Sequence, residues 1–221
     1  MSVFEESYNT ISIMQPYFFP YPGYFELPAR ADLFVLFDDV QFPRRGWVHR
    51  NKFHKLDSPE TDWWGLPLKK GPQATTLISD LEFDAGRIIE FQNKFNSFEI
   101  SRVKESIFEV FPSLLGLTDR TVVNYLEGQI QDVCNYLRIE TKIIRSSQIP
   151  NPEFLNGEDR IIQICKSLGA KKYLNASGGV SLYNPDQFKN NGIELNFLPE
   201  YTGNKVSILE QIAINQFRLY K

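Results

Sequence analysis

Residues 156–198 read NGEDRIIQICKSLGAKKYLNASGGVSLYNPDQFKNNGIELNFL and carry the clearest order of elements in the chain. Ile161, Ile162, Ile164, Cys165 and Leu168 recur at helical spacing, Asn156 stands at the N-cap with Asp159 at N3, and Gly169 ends the repeat. KKYLN (171–175) then reads as a strand. Asn184–Pro185 marks the start of a short second helix, because proline fits the first helical position, whose amide has no partner inside the helix. Gly192 closes that helix and IELNFL (193–198) is a further strand. Strands alternating with helices in this way point to an α/β fold with a mainly parallel sheet.

The same pattern extends toward the N-terminus. ISIM (11–14) and LFVLF (33–37) are apolar runs of the kind a strand buried on both faces shows, and TKIIR (141–145) is another strand. GYFELPARA forms a short helix that Pro28 kinks or ends. Within 47–70, RNKFHK and WWGLPLKK flank the turn-rich LDSPETD, which reads as an inserted β-hairpin. Helical patterns follow at 86–97 (Ile88, Ile89, Phe91, Phe95), 101–111 and 119–137 (Val122, Val123, Leu126, Ile130, Val133, Leu137). The expected organisation is one Rossmann-like α/β domain over 11–198, its mainly parallel sheet flanked by helices. The hairpin is inserted at about 47–70 and a helical segment at about 86–137. Residues 1–10 are expected to be flexible. The tail, 199–221, has an amphipathic pattern (Ile208, Leu209, Ile212, Ala213, Phe217) and docks on the domain or on a second subunit of a homo-oligomer.

Composition narrows the classes. The net charge of −3 argues against a dedicated nucleic-acid binder, which carries a strongly basic face. No apolar run reaches the length needed to span a bilayer, and the N-terminus lacks the basic and apolar regions of a secretory signal, so a cytoplasmic location is expected. Cys134 and Cys165 both fall on apolar helical stripes and read as reduced core thiols. With two histidines in the chain, a structural zinc site is disfavoured. No cofactor is evident, and Mg²⁺ is implied only if a nucleoside triphosphate is the substrate.

In open α/β sheets ligands sit beyond the carboxyl ends of the strands, where the strand order reverses. Three stretches fall at strand carboxyl ends: 15–24, 38–46 and 176–183. The first opens QPYFFPYPGYFEL (15–27), in which six of thirteen side chains are aromatic and Pro20 and Pro22 stiffen the backbone. Gln15, Phe19, Tyr21 and Tyr24 are expected at a pocket wall, with Gly23 allowing close approach, while Tyr17, Phe18 and Phe25 fill the core. In the second, Asp38-Asp39 either caps the strand end, or Asp39 binds a metal, an amine or a sugar hydroxyl. QFPRRGWVHRNKFHK (41–55) carries five Arg or Lys and both histidines in an acidic chain. It is either a solvated hairpin face or an anion site in which Arg44, Arg45 and Arg50 hold phosphate or carboxylate, Trp47 stacks on a base or sugar, and His49 and Asn51 lie beside the ligand; His54 is expected at the surface. In the third, Asn175, Ser177, Gly178 and Gly179 make either a tight turn or a phosphate cradle of backbone amides.

ISIMQPYFFPYPGYFEL, ADLFVLFDDVQFPRRGWVHRNK, LPLKK and DRIIQICKSLGAKKYLNASGGVSLYNPDQFKNNGIELNFL, in that order, resemble recurrent segments of the WbqC-like family of bacteria, over roughly residues 11–215. Members of that family are associated with O-antigen and other surface polysaccharides. The resemblance implies a transferase that moves an acyl or aminoacyl group to a nucleotide-linked amino sugar, with a nucleotide sugar and an acyl or aminoacyl donor as partners. In that reading Asp39 orients the amine or hydroxyl and His49 accepts its proton. A second, architectural resemblance is to the nucleotidyltransferase superfamily with its H-x-G-H signature, where this chain has Tyr21-Pro22-Gly23-Tyr24. It keeps the glycine and replaces both histidines. A nucleoside triphosphate-using enzyme, or a non-catalytic binding or scaffold protein of the same pathway, are the alternatives.

Overall fold

The computed structural model of the chain describes residues 8–69, 75–118 and 121–213. In chain order its elements are β1 (Thr10–Met14), α1 (Glu26–Ala29), β2 (Leu33–Leu36), β3 (Arg50–His54), β4 (Thr61–Gly65), α2 (Ile88–Phe95), α3 (Lys104–Val110), α4 (Val122–Tyr136), β5 (Lys142–Arg145), α5 (Gly157–Ser167), β6 (Lys172–Asn175), α6 (Pro185–Asn190), β7 (Glu194–Phe197) and α7 (Ile208–Ala213). The expectations for residues 1–7, for the first two residues of the 119–137 helix and for the tail beyond 213, Phe217 included, lie outside the described residues. Two compact units emerge. One holds the described residues up to Gln15, then Gly23–Val40 and Ile139–Gly203; the other holds Pro16–Pro22 and the described residues of Gln41–Arg138 and from Asn204 on.

The first unit is a five-stranded sheet in the order β5-β2-β1-β6-β7, and every neighbouring pair is parallel. The chain builds outward from β1 through β2 to β5, then starts again on the other side with β6 and β7. Strand order therefore reverses between β1 and β6, the arrangement of a Rossmann-like α/β fold. Ile11 and Ile13 of β1 and Leu33 and Val35 of β2 pack in one core with Ile161, Ile164, Cys165 and Leu168 around α5 and Phe188 of α6. All four residues of β2 are buried, which is why its sequence is unbroken LFVL. Gly169 (φ 68°) and Gly192 (φ 72°) end α5 and α6 in the left-handed region that favours glycine. Asn184 caps α6 through the Asp186 amide, with Pro185 at the first turn, whereas Asn156 stands before α5 without a side-chain capping bond. Burial pushes the Cys134 and Cys165 thiols up to about 12. Among the described residues no helix is long and apolar enough to cross a membrane.

Arg160 lies four residues before Ile164, on the apolar stripe of α5, and only 1% of it is exposed. Its Nε and Nη2 donate to one oxygen of Asp39 at 3.0 and 2.6 Å, and Nη2 also donates to the Ser146 and Ile149 carbonyls. The Ser146 hydroxyl reaches the other Asp39 oxygen and lies 3.1 Å from Asp38 Oδ1. Asp38, fully buried, accepts from the Ser147 amide at 2.9 Å and the Ser147 hydroxyl at 2.7 Å. These bonds tie the carboxyl end of β2 to the turn after β5. A buried guanidinium with a carboxylate partner and carbonyl acceptors meets the conditions under which a buried charge is tolerated.

In the second unit β3 and β4 form an antiparallel hairpin with Asn51 opposite Trp64 and Lys52 opposite Trp63. Because side chains alternate along a strand, Asn51, Phe53 and Trp64 share the inner face while Arg50, Lys52 and Trp63 share the outer one. Phe18 packs edge-on against Trp64 at 5.3 Å, and Trp64 stacks on Phe91 of α2 at 4.8 Å with rings 13° from parallel. Phe91 and Phe95 are the buried face of α2; Ile89, expected on that face, lies two residues and about 200° round the helix from Phe91 and is 69% exposed.

Phe19, expected at a pocket wall, is wholly buried and holds φ of 41°, in the left-handed region that a bulky residue rarely adopts. Such a conformation costs on the order of 1–3 kcal/mol and persists when its surroundings fix it. Here Gln129 of α4 accepts from the Phe19 amide at 2.8 Å and donates to the Tyr17 carbonyl at 2.6 Å. Asn51 Nδ2 and the Ser207 hydroxyl donate to the Phe19 carbonyl at 2.6 and 2.9 Å.

Two outcomes follow for stability. Gln129→Ala leaves the Phe19 amide and the Tyr17 carbonyl buried without that partner and should cost about 1–3 kcal/mol; an unchanged urea midpoint would show that the clamp is dispensable. Arg160→Ala strands Asp39 and should cost about 3–5 kcal/mol, whereas a loss below about 1 kcal/mol in the same titration would mean the pair is solvated.

Candidate functional site

A cleft of about 510 Å³ opens in the second unit, lined by Phe42, Arg44, His49, Arg50, Trp63, Gly65, Lys69, Arg87, Glu90, Phe91 and Lys94 among others. Its volume is in the range of small-molecule sites, roughly 300–1,000 Å³. The hairpin supplies Arg50 and Trp63 from its outer face. Helix α2 and the turn before it supply Arg87, Glu90, Phe91 and Lys94, residues three to four apart that share one helical face. Gly65 faces Arg50, where a β-carbon would lie 3.2 Å from Arg50 Cβ, so the glycine allows the two backbones to approach at the cleft.

Among the described residues, five cationic side chains and one carboxylate, Glu90, line this cleft, in a chain whose net charge is −3. Lys69 pairs with Glu82, Arg87 with Glu90 at 3.2 Å, and Lys94 with Asp62 at 3.1 Å. All six side chains are 40% exposed or more, so these pairs are weak and an anion can compete for the cations at little cost. The Lys94 ammonium first, and the Trp63 amide second, hold the Asp62 carboxyl below its ordinary value. The Arg50 guanidinium lies 4.2 Å from the centre of the Trp63 ring, a cation–π contact that keeps it at the wall.

His49 also lines the cleft and packs against Phe42, whose ring lies 5.1 Å away at 71°. Burial, then the charge of Arg50, pushes its pKa down to about 4, so its imidazole is neutral at physiological pH. Its backbone carbonyl accepts from the Leu66 amide at 2.7 Å, which extends the hairpin pairing to the cleft wall.

Of the residues singled out in the sequence, Arg44, His49 and Arg50 line the cleft. Trp47 is 45% exposed with its ring 5.2 Å from that of Trp63, and Arg45 is exposed on the same loop. Tyr21 is partly buried in this unit. Asn51 is 5% exposed and spends its amide on the Phe18 and Phe19 carbonyls and the Lys52 amide. His54, expected at the surface, donates its amide to Glu210, and its Nδ1 lies 2.9 Å from the second carboxylate oxygen.

The remaining residues belong to the sheet unit. Gln15 follows β1, and its carbonyl accepts from the Tyr24 hydroxyl at 3.0 Å; Tyr24 is 3% exposed and packs on Phe25 and Phe34, and Gly23 before it is buried. Asp39 follows β2 with both oxygens engaged by Arg160 and Ser146. Asn175, 4% exposed, accepts from the Ala176 amide, and its side chain abuts Gly179, where a β-carbon would collide with Asn175 Nδ2. Ser177 is partly buried; Gly178 is exposed with open space above it. Gln15 and the 175–179 turn thus stand at the carboxyl ends of β1 and β6, where the strand order reverses. Among the described residues, no group of three or more His, Cys, Asp or Glu is placed to hold a metal.

Sequence reading did not single out Trp63, Lys69, Arg87 or Lys94 as ligand groups. Trp63, Arg87 and Lys94 lie on elements read only as hairpin and helix. The signal for Arg87 and Lys94 was their spacing with Phe91, which places all three on one face.

Known proteins place the chain further. The uncharacterized protein Rv1507c of Mycobacterium tuberculosis (strain ATCC 25618 / H37Rv) is 25% identical to it over 177 residues, covering 75% of this chain and 71% of the relative. No solved structure matches. The WbqC-like protein family matches over residues 15–205, a span that takes in the aromatic loop, the cleft and every strand of the sheet but β1, and the chain belongs to that family.

Proposed function

We propose that this protein is a transferase that moves an acyl or aminoacyl group to a nucleotide-linked amino sugar in the cytoplasmic stages of O-antigen or other surface-polysaccharide synthesis, with the anionic part of the substrate held in the hairpin cleft. The observation that carries the reading is the cleft itself, with five cations around one aromatic wall in an acidic chain. Arginine forks match phosphate oxygens in pairs, and Trp63 offers an apolar surface for a sugar or base. Arg44 and Arg50 hold phosphate, with Lys69, Arg87 and Lys94 adding charge that does not depend on one geometry. Asp39, bound on both oxygens, acts in this reading by fixing the carboxyl ends of β2 and β5.

A nucleotidyltransferase reading draws less support. Tyr24, at the place of the second signature histidine, is buried and donates its hydroxyl to the Gln15 carbonyl. The experiment is incubation with a panel of nucleotide-linked amino sugars and acyl or aminoacyl donors, followed by mass spectrometry of the sugar. The expected result is a mass gain equal to the transferred group. Arg50→Ala, with folding checked by thermal midpoint, should weaken nucleotide-sugar binding about 10-fold or more, as expected for a lost charge-assisted bond. Unchanged affinity in Arg50→Ala, or release of pyrophosphate from a triphosphate as the sole reaction, would overturn the reading.

A further inference from the structure

We infer that His49 serves the cleft as a neutral hydrogen-bond donor through Nε2, polarising an oxygen of the bound anion, and does not take up a proton there. The inference rests on the reading of the cleft as an anion site and assigns the one ring in it, among the described residues, that is able to change charge. Its basis is geometric. Nδ1 is buried and, among the described residues, has no hydrogen-bond partner. An imidazolium carries N–H groups on both nitrogens, so protonation would place a charged N–H at Nδ1 with nothing to accept from it, the costliest kind of unmet polar group. Between the two neutral tautomers, an unmet lone pair is more readily tolerated than an unmet buried N–H. The proton therefore resides on Nε2.

The surroundings point the same way. Among the described residues, the charged groups lining the cleft with His49 are Arg44 from the loop, Arg50 from β3, Lys69 from the segment after β4, Arg87 from the turn before α2, and Glu90 and Lys94 from α2. A sixth positive charge among five cations and one carboxylate is disfavoured, and Phe42 packs against the ring instead of an acceptor. Burial and Arg50 depress the pKa in the same sense. A neutral donor also has a consequence for chemistry. It stabilises negative charge developing on a phosphoryl or carbonyl oxygen and cannot serve as the base at Nε2, so the proton-accepting role expected for His49 passes to another group or to solvent.

The test is long-range ¹H–¹⁵N correlation NMR of the imidazole rings, which distinguishes both tautomers and the cation. The chain has two histidines, so His49→Gln assigns the spectrum, and His54→Gln does so if that variant fails to fold. The expected result is an Nε2–H neutral pattern for His49 throughout pH 6–8, with its Nε2 resonance moving on addition of uridine diphosphate. A cationic pattern at pH 6, or the Nδ1–H tautomer, overturns the inference. If uridine diphosphate perturbs the Trp63 indole but not His49 Nε2, the inference fails and the anion site stands. If neither moves at millimolar ligand, the cleft reading fails with it. In binding assays His49→Phe should weaken uridine diphosphate about 2- to 10-fold, with His49→Gln, which keeps a donor, closer to the parent; equal losses in both would also overturn it.

Discussion

Two buried amides, Asn51 and Gln129, hold Phe19 in a backbone conformation it would not adopt alone, and the second unit is arranged around that constraint. With the 17–19 backbone fixed, Phe18 points into the aromatic core and meets Trp64 of the hairpin, which in turn stacks on Phe91 of α2. Hairpin and helix are thereby held in one relation. The outer face of the one and the exposed flank of the other make the cleft. The same strand that buries Asn51 and Phe53 displays Arg50, so this cleft cation is positioned by packing on its opposite face. The long, stiff, aromatic loop gains core contacts of its own, and the cleft wall is set at one remove by the groups those contacts align.

The sheet unit solves a different problem. Its strand order leaves the carboxyl ends of β1 and β6 at the reversal point, where the Gln15 carbonyl accepts from the Tyr24 hydroxyl and the Asn175 side chain accepts from the Ala176 amide. At the other end of the β2 carboxyl edge, one buried arginine gathers Asp39 and the carbonyls of the β5 turn. The Asp38-Asp39 pair is thus a structural joint in which two carboxylates are met by one guanidinium, two hydroxyls and an amide. Such saturation favours a rigid edge and leaves little of Asp39 for a substrate.

Much of this was legible in the sequence. The α5–β6–α6–β7 run could be read residue by residue because periodicity, asparagine–proline capping and terminal glycines agree at each boundary. The hairpin followed from its turn and the parallel sheet from apolar runs between helices. What escaped were polar residues on apolar stripes. Gln129 sits three residues after Leu126 and Arg160 four before Ile164, and each position predicts burial while the side chain predicts exposure. Their partners, the Phe19 backbone and Asp39, lie more than one hundred residues away, and no local pattern announces such a bond. The cleft was half legible for the same reason. Its Arg44–Arg50 side is one charge-rich stretch, and its Arg87–Lys94 side joins only when α2 packs on Trp64.

The most direct measurement is a crystal structure of the protein with uridine diphosphate bound. The account predicts phosphate density in the hairpin cleft, within hydrogen-bond distance of Arg50 and at least one of Arg44, Lys69, Arg87 and Lys94, with His49 Nε2 facing an oxygen. Diphosphate density located instead over Ser177–Gly179 at the end of β6, with the hairpin cleft empty, would contradict it.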